Sequence, residues 1–191
     1  MRIRTATGIL AGVFLTSPGF AAETYVIDPA HTHVMFKIER FGLSNVIGGF
    51  VDVAGAVSLD KEAPEKSSVT ATVKIASIDS NNEEREGHLR GPSWLAAEQF
   101  PTMTFTSTHV EQTGESTAKV TGDLTLHGVT KPLTLDVVLN KIGTDPVSKR
   151  AAAGFTATGS LKRSDFGMMT AQGLIGDAVE ISIEALAVAG G

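Results

Sequence analysis

Apolar and polar residues alternate with a period of two through most of this chain. Val34, Phe36 and Ile38 fall on one side of a run whose other side carries Met35, Lys37 and Glu39, the pattern of a half-buried strand. Val46, Gly48 and Phe50 alternate next, and then Val53, Gly55, Val57 and Leu59 alternate in the opposite phase. A phase change inside one strand predicts a bulge near Val51-Asp52 and a bend of the sheet there. Val69, Ala71, Val73 and Ile75 continue the style, as do Met103 and Phe105. In the second half Ala118, Val120, Gly122, Leu124 and Leu126 share one face, and Leu133, Leu135, Val137 and Leu139 the next. Ala153, Phe155, Ala157, Gly159 and Leu161 form a third, and Val179, Ile181, Ile183 and Ala185 the last. About eight strands joined mostly by short connections predict an all-β sandwich or barrel.

Two stretches break the pattern. Asn81-Asn82-Glu83-Glu84-Arg85-Glu86-Gly87-His88 is densely polar between strand-like runs, and a polar connection of that length is usually functional or disordered. Short helices are expected at 83–89 and 92–99, the second with Pro92 at its start. The stretch 126–133 reads as a hairpin corner in which Gly128 supplies backbone freedom and Pro132 ends the turn. The apolar faces also hold many small residues: Gly48, Gly55, Ala71, Ala118, Gly122, Ala153, Ala157, Gly159 and Ala185. A solid core needs bulky side chains to reach close packing. Small residues on a closed sheet therefore predict free space, and an eight-stranded barrel is just wide enough for one thin ligand. Tight sheet contacts are the competing explanation for them. Val34, Phe36, Ile38, Val73, Phe105, Leu126, Leu135, Phe155 and Ile181 belong to the apolar phase of their strands and are expected to share one interior.

Composition narrows the setting. Arg2 and Arg4 precede an apolar run over 6–15 that is too short to span a bilayer, and Gly19-Phe20-Ala21 fits cleavage after Ala21. A signal peptide at 1–21, a single domain over 22–191 and a periplasmic location are therefore expected. Without Arg2 and Arg4 the 16 basic residues fall to 14 against 21 acidic ones, a net charge of −7. An acidic chain with no basic run argues against nucleic acid and against electrostatic docking on anionic membranes. No second long apolar segment follows, so no membrane span is expected after cleavage. The chain has no cysteine, and a domain of this size buries a sufficient core without a disulfide.

Candidate chemistry is sparse. There is no Gly-x-Ser-x-Gly, no catalytic cysteine and no glycine-rich phosphate loop. Glu83 and Glu84 sit in a solvated run, which gives a glycosidase little support. His31 and His33 could share a strand face and a metal, but His88, His109 and His127 repeat no ligand spacing. No metal or other cofactor is expected, and Asp28 reads as a turn residue. Arg85, Glu86, His88 and Arg90 have acid–base potential; a short helix with a Glu86–Arg90 pair at i,i+4 spacing is the simpler account. Such a segment would close a barrel end in preference to touching a ligand. Arg40 continues the phase of Val34, Phe36 and Ile38, so it either meets a polar or anionic head group or snorkels to solvent. Trp94, the only tryptophan, either packs in the core or lines the barrel mouth. Arg163 and Asp165 are expected to brace a turn.

Several words recur in a fixed order: Asp28-Pro29-Ala30-His31-Thr32, Arg85-Glu86-Gly87-His88-Leu89-Arg90 and Phe100-Pro101-Thr102-Met103-Thr104-Phe105. Leu124-Thr125-Leu126-His127-Gly128-Val129-Thr130-Lys131-Pro132 and Arg163-Ser164-Asp165-Phe166-Gly167 complete the set. With these the chain resembles the YceI-like family of lipid-binding proteins over about residues 25–183. The resemblance implies an eight-stranded antiparallel, lipocalin-like β-barrel with short helices near one opening, holding a long isoprenoid or similar apolar chain. The family usually has Asp in place of Glu86, often Phe in place of Trp94, and commonly His in place of Arg40. The favoured function is a periplasmic binding or carrier protein, not an enzyme, for a polyisoprenoid, an isoprenoid quinone or a fatty acyl chain. Its expected ligand-binding residues are Val34, Phe36, Ile38, Arg40, Val73, Trp94, Phe105, Leu126, Leu135, Phe155 and Ile181. The alternatives are an enzyme acting on an exported lipid through His88 and Glu86, and a ligand-free structural or stress-response protein. An exposed strand edge would also permit a homodimer.

Overall fold

A computed structural model describes residues 22–190; the expected signal peptide at 1–21 lies outside the described residues. The strands are β1 (Glu23–Ile27), β2 (His33–Arg40), β3 (Ser44–Phe50), β4 (Val53–Leu59), β5 (Ser68–Lys74) and β6 (Ile78–Asp79). After α1 (Glu83–Arg90) come β7 (Thr102–Gln112), β8 (Thr117–Leu126), β9 (Val129–Thr144), β10 (Ala151–Lys162) and β11 (Ile175–Ala189). They pair antiparallel in one sheet that closes on itself through β1 and β11. Three pairs of segments are single strand paths interrupted by a bend: β1–β2 at Pro29–His31, β3–β4 at Val51-Asp52, and β5–β6 at Ile75–Ser77. Counted as paths there are eight, in up-and-down order, which is the expected lipocalin-like barrel.

The three bends lie on neighbouring paths and form one crease. Asp28 starts the first: its carboxylate accepts the Ala30 N–H at 2.9 Å and its own N–H donates to the Leu186 carbonyl at 2.8 Å. At the second, the phase switches as expected, so that Phe50 and Val53 are both buried in the core. Val51 N–H donates to the Ser77 carbonyl and Asp52 N–H to Ser77 Oγ, tying the second bend to the third. Beyond the crease β6 pairs with β3, whereas β7 pairs with β5 and β8. The wall therefore has no ladder between β6 and β7, and α1 packs beside β6 at this break.

Residues 83–90 form a helix because both its ends are satisfied locally. Asn82 caps the start, its Oδ1 accepting the Arg85 N–H at 2.8 Å, with Glu83, Glu84 and Glu86 in the first turn and His88 and Arg90 in the last. The second expected helix, over 92–99, does not form. Ala96 is left-handed at φ 47°, a conformation a right-handed helix cannot pass through. The segment instead makes separate turns that bury Ala96 and press Leu95 and Ala97 against the core. The corner at 126–133 is tighter than expected. His127 (φ 52°) and Gly128 (φ 75°) form a two-residue turn of the mirror-image type that suits twisted hairpins. Pro132 does not end that turn; it lies inside β9, opposite Asp123.

Candidate ligand-binding site

The barrel encloses a cavity of about 1030 Å³. Every residue expected to point inward lines it: Val34, Phe36 and Ile38 from β2, Val73 from β5, Phe105 from β7, Leu126 from β8, Leu135 from β9, Phe155 from β10 and Ile181 from β11. The register explains the agreement. Phe36 stands opposite Ile181 and Ile38 opposite Val179, and cross-strand partners share a face. Arg40 and Trp94 also line the cavity, as do Leu89 and Leu95 below α1. Its charged lining residues lie at the two ends, not along the wall.

Small residues play two different parts. Ala71, Ala118, Ala157 and Ala185 line the cavity, as the free-space reading requires. The strand glycines Gly48, Gly55, Gly122 and Gly159 do not. A Cβ on Gly48 would stand 2.7 Å from Phe36 Cζ, and one on Gly122 would stand 2.5 Å from Phe105 Cζ. Gly48 and Gly122 are thus seats for neighbouring rings, whereas Gly55 and Gly159 are close approaches to aliphatic side chains and backbone. By lying against the wall, the rings stay off the barrel axis, so glycine contributes space indirectly.

The two ends differ. At the turn end the strands reverse through 60–67, 113–116 and 145–150, and the lining is polar, with Asp60, Lys61, Gln112 and Glu115. A small cluster around Tyr25, Ala153 and Ala187 is fully buried inside this end. The Tyr25 hydroxyl donates to Glu23 at 2.7 Å, and Lys61 reaches the same carboxylate at 3.1 Å. At the helix end the lining passes between β3, through Ser44, Asn45 and Val46, and α1, through Glu84, Arg85 and His88. Arg40 closes the β2 side of this mouth, its guanidinium 4.0 Å above the Phe41 ring.

The acid–base candidates at this mouth serve α1. Glu86 Oε1 accepts the Ser80 N–H at 2.7 Å and the Asn82 N–H at 3.1 Å. Those backbone donors hold its carboxyl below the usual range. The expected Glu86–Arg90 ion pair is absent among the described residues, because the carboxylate is turned back to the helix start. Arg85 Nε donates to Ser80 Oγ at 3.0 Å. His31 and His33 do not share a strand face: His31 ends the turn Pro29–His31, 2.7 Å from the Asp28 carboxylate, and only His33 lies on β2.

Arg163, expected only to brace its own turn, is the one buried charged residue among the described residues. It donates to the carbonyls of Met168 (2.6 Å), Gly176 (2.9 Å) and Ile175 (3.1 Å), and its guanidinium lies 5.7 Å from the Trp94 ring centroid. It ties the loop after Phe166 to the start of β11 beneath the helix-end cover. The turn is braced by Asp177, which accepts the Ser164 N–H and hydroxyl, and not by Asp165. Sequence reading missed Asp177 because nothing local distinguishes it. Arg163 left a faint signal as the next residue but one after inward Leu161.

An up-and-down barrel of eight strands around an apolar lumen is the architecture of lipocalin-like ligand-binding proteins. The sequence profile of the YceI-like domain matches residues 25–187, and the chain belongs to this family. A UPF0312 protein of Serratia proteamaculans is 41% identical over 183 residues, covering 94% of each chain. The crystal structure of the Campylobacter jejuni YCEI protein is 30% identical with a TM-score of 0.69, covering 78% of this chain and 88% of that one. Burkholderia cenocepacia BcnA has the same fold, with a TM-score of 0.76 at 23% identity over 84% of this chain and 98% of that one. A polyisoprenoid binding domain from Saccharophagus degradans shares it at a TM-score of 0.62 and 14% identity, covering 88% and 99%.

Proposed function

We propose that this protein is a periplasmic binding or carrier protein that holds one long apolar chain, a polyisoprenoid, an isoprenoid quinone or a fatty acyl chain, in the barrel lumen. The observation that carries the reading is the cavity of about 1030 Å³ whose wall is aliphatic and aromatic and whose charges stand at its ends. At about 30 Å³ per water-sized group, it has room for roughly 34 groups, a chain of about six or seven isoprene units. Each buried methylene contributes roughly 0.8 kcal/mol, so part of such a chain suffices for firm binding after its ordering is offset. The polyisoprenoid binding domain with the same fold supports the same ligand class.

The chemistry-based alternative has weak support. An enzyme using His88 with Glu86 needs a carboxylate free to take a proton, and this one is committed to two backbone donors and is depressed. A ligand-free structural protein needs a filled core. The direct test is titration with geranylgeraniol, read through Trp94 at the lumen mouth. Saturable quenching or a blue shift at one equivalent is expected. Unchanged Trp94 emission, with free geranylgeraniol recovered in full, contradicts the reading.

A further inference from the structure

We propose that the hairpin tip between β2 and β3, with the facing 169–174 loop, is a bilayer-contact surface through which the apolar chain passes to and from the lumen. The inference rests on the lipid-binding reading above and concerns how the ligand is exchanged. Single exposed apolar residues are ordinary, and a cluster beside an opening is not. Leu43 is 84% exposed, Leu174 58%, Met169 50% and Phe41 44%. They belong to two loops joined into one surface, the Phe41 N–H donating to the Leu174 carbonyl at 2.8 Å. Arg40, at the base of the same tip, lines the lumen mouth.

The backbone supplies an independent observation. Phe41 is left-handed at φ 62° and Gly42 follows at φ 68°. Asn or Gly ordinarily takes such a position, and a bulky aromatic there is strained. The strained residue holds its ring outward, where the Arg40 guanidinium covers one face. An outward aromatic, a fully projecting leucine and an arginine that can snorkel form the side-chain set of a membrane interface.

The surrounding charges favour a bilayer over a second copy of this chain. Lys37 is paired with Glu180 at 2.8 Å, and the Glu39 carboxylate accepts the Gly42 N–H. Arg40 has no ion pair among the described residues. The tip therefore attracts by apolar insertion, which salt does not screen. Two projecting loop tips also form a convex surface that a flat protein partner covers poorly, whereas lipid tails flow around it. The bilayer is at once the occupant of this surface and the source of the cargo that enters beside it.

The test uses the full exported chain, Leu43→Asp/Leu174→Asp, Phe41→Asn, and Val147→Asp as a control on the opposite end. Flotation with phosphatidylethanolamine–phosphatidylglycerol vesicles is measured, and transfer of retinol from those vesicles is followed by energy transfer from Trp94. The double variant should float and accept vesicle retinol about tenfold less well, yet melt normally and bind retinol added from ethanol with unchanged affinity. Phe41→Asn should float less while melting no lower, because it relieves the left-handed strain. Val147→Asp should change nothing. Equal flotation and transfer by the double variant overturns the inference. So does a wild-type chain whose tip instead mediates a concentration-dependent dimer, lost in the double variant while transfer is kept. Failure of the wild type to bind ethanol-delivered retinol strikes the lipid-binding reading itself, and is thereby told apart from failure of the tip.

Discussion

At the turn end of the barrel the chain reverses in short polar turns whose side chains satisfy their own backbone. Asp60 Oδ1 accepts the N–H groups of Glu62 and Ala63, and Asp145 accepts those of Val147 and Ser148. At the helix end the same barrel is closed by a helix, a long loop and a buried arginine. Among the described residues six non-glycines have positive φ; only Lys149 lies at the turn end, and Phe41, Asn81, Ala96, His127 and Ala171 lie at the other. Backbone strain persists only where surrounding structure over-determines it, and it gathers at working sites. The contrast shows one end built for economy and the other for a task that self-contained hairpin turns cannot do.

The largest expected effect tests what both ends enclose. Phe36→Asp or Phe105→Asp would bury an unpaired carboxylate in the apolar lumen and should cost several kcal/mol. The readouts are thermal unfolding and ligand retention; wild-type values for both would mean the lumen is wet. Arg163→Ala comes next. It leaves three carbonyls without their donor, a loss of about 3 kcal/mol. Hydrogen exchange should rise across 168–176 and around Trp94 while 145–150 stays protected. A uniform rise at both ends would remove the distinction between them.

Acid gives a smaller, graded effect. Glu86 lies below its ordinary value of 4.5 because the Ser80 and Asn82 N–H groups bond its carboxylate. A depressed carboxyl stabilises the fold in full above that ordinary value, and the contribution fades as the pH falls through the lowered one. Protection of α1 should therefore drop below about pH 4.5, and Glu86→Gln should flatten that response. Asp145 is depressed too, first by the Ser148 side chain, so its turn should respond to acid unchanged in that variant. A pH response of α1 that survives Glu86→Gln would reassign it. The smallest effect is expected of His88→Ala, which should leave ligand affinity within about tenfold of wild type. Complete loss of a lipid-converting activity with binding intact would favour the enzyme reading.

The lumen was legible in the sequence because each strand's alternation is local and strand pairing preserves it. Phe36, Phe105 and Ile181 needed no knowledge of partners to be placed inside. The Val51-Asp52 bend was legible for the same reason, as a change of phase. What escaped depends on contacts between distant segments. The helix expected at 92–99 yields to Leu95 and Ala97 packing against the core on either side of left-handed Ala96. For Gly48 and Gly122 the competing explanation of tight contacts holds, because their role is set by rings on the neighbouring strand: Phe36 over Gly48, Phe105 over Gly122. Arg163 was read as a turn residue because its carbonyl partners, Met168 in the loop and Ile175 and Gly176 at the start of β11, lie beyond its own turn. The break between β6 and β7, where α1 packs, follows from a missing ladder, which no single strand's sequence records.

The central claim is that the lumen carries a chain and is not a void. Native mass spectrometry of protein purified from cells without added lipid tests it most directly. The account predicts a species heavier than the polypeptide by one long-chain lipid, released by organic solvent, with the released molecule identified as an isoprenoid or acyl chain. A single species at the polypeptide mass, which also takes up no geranylgeraniol, would contradict it.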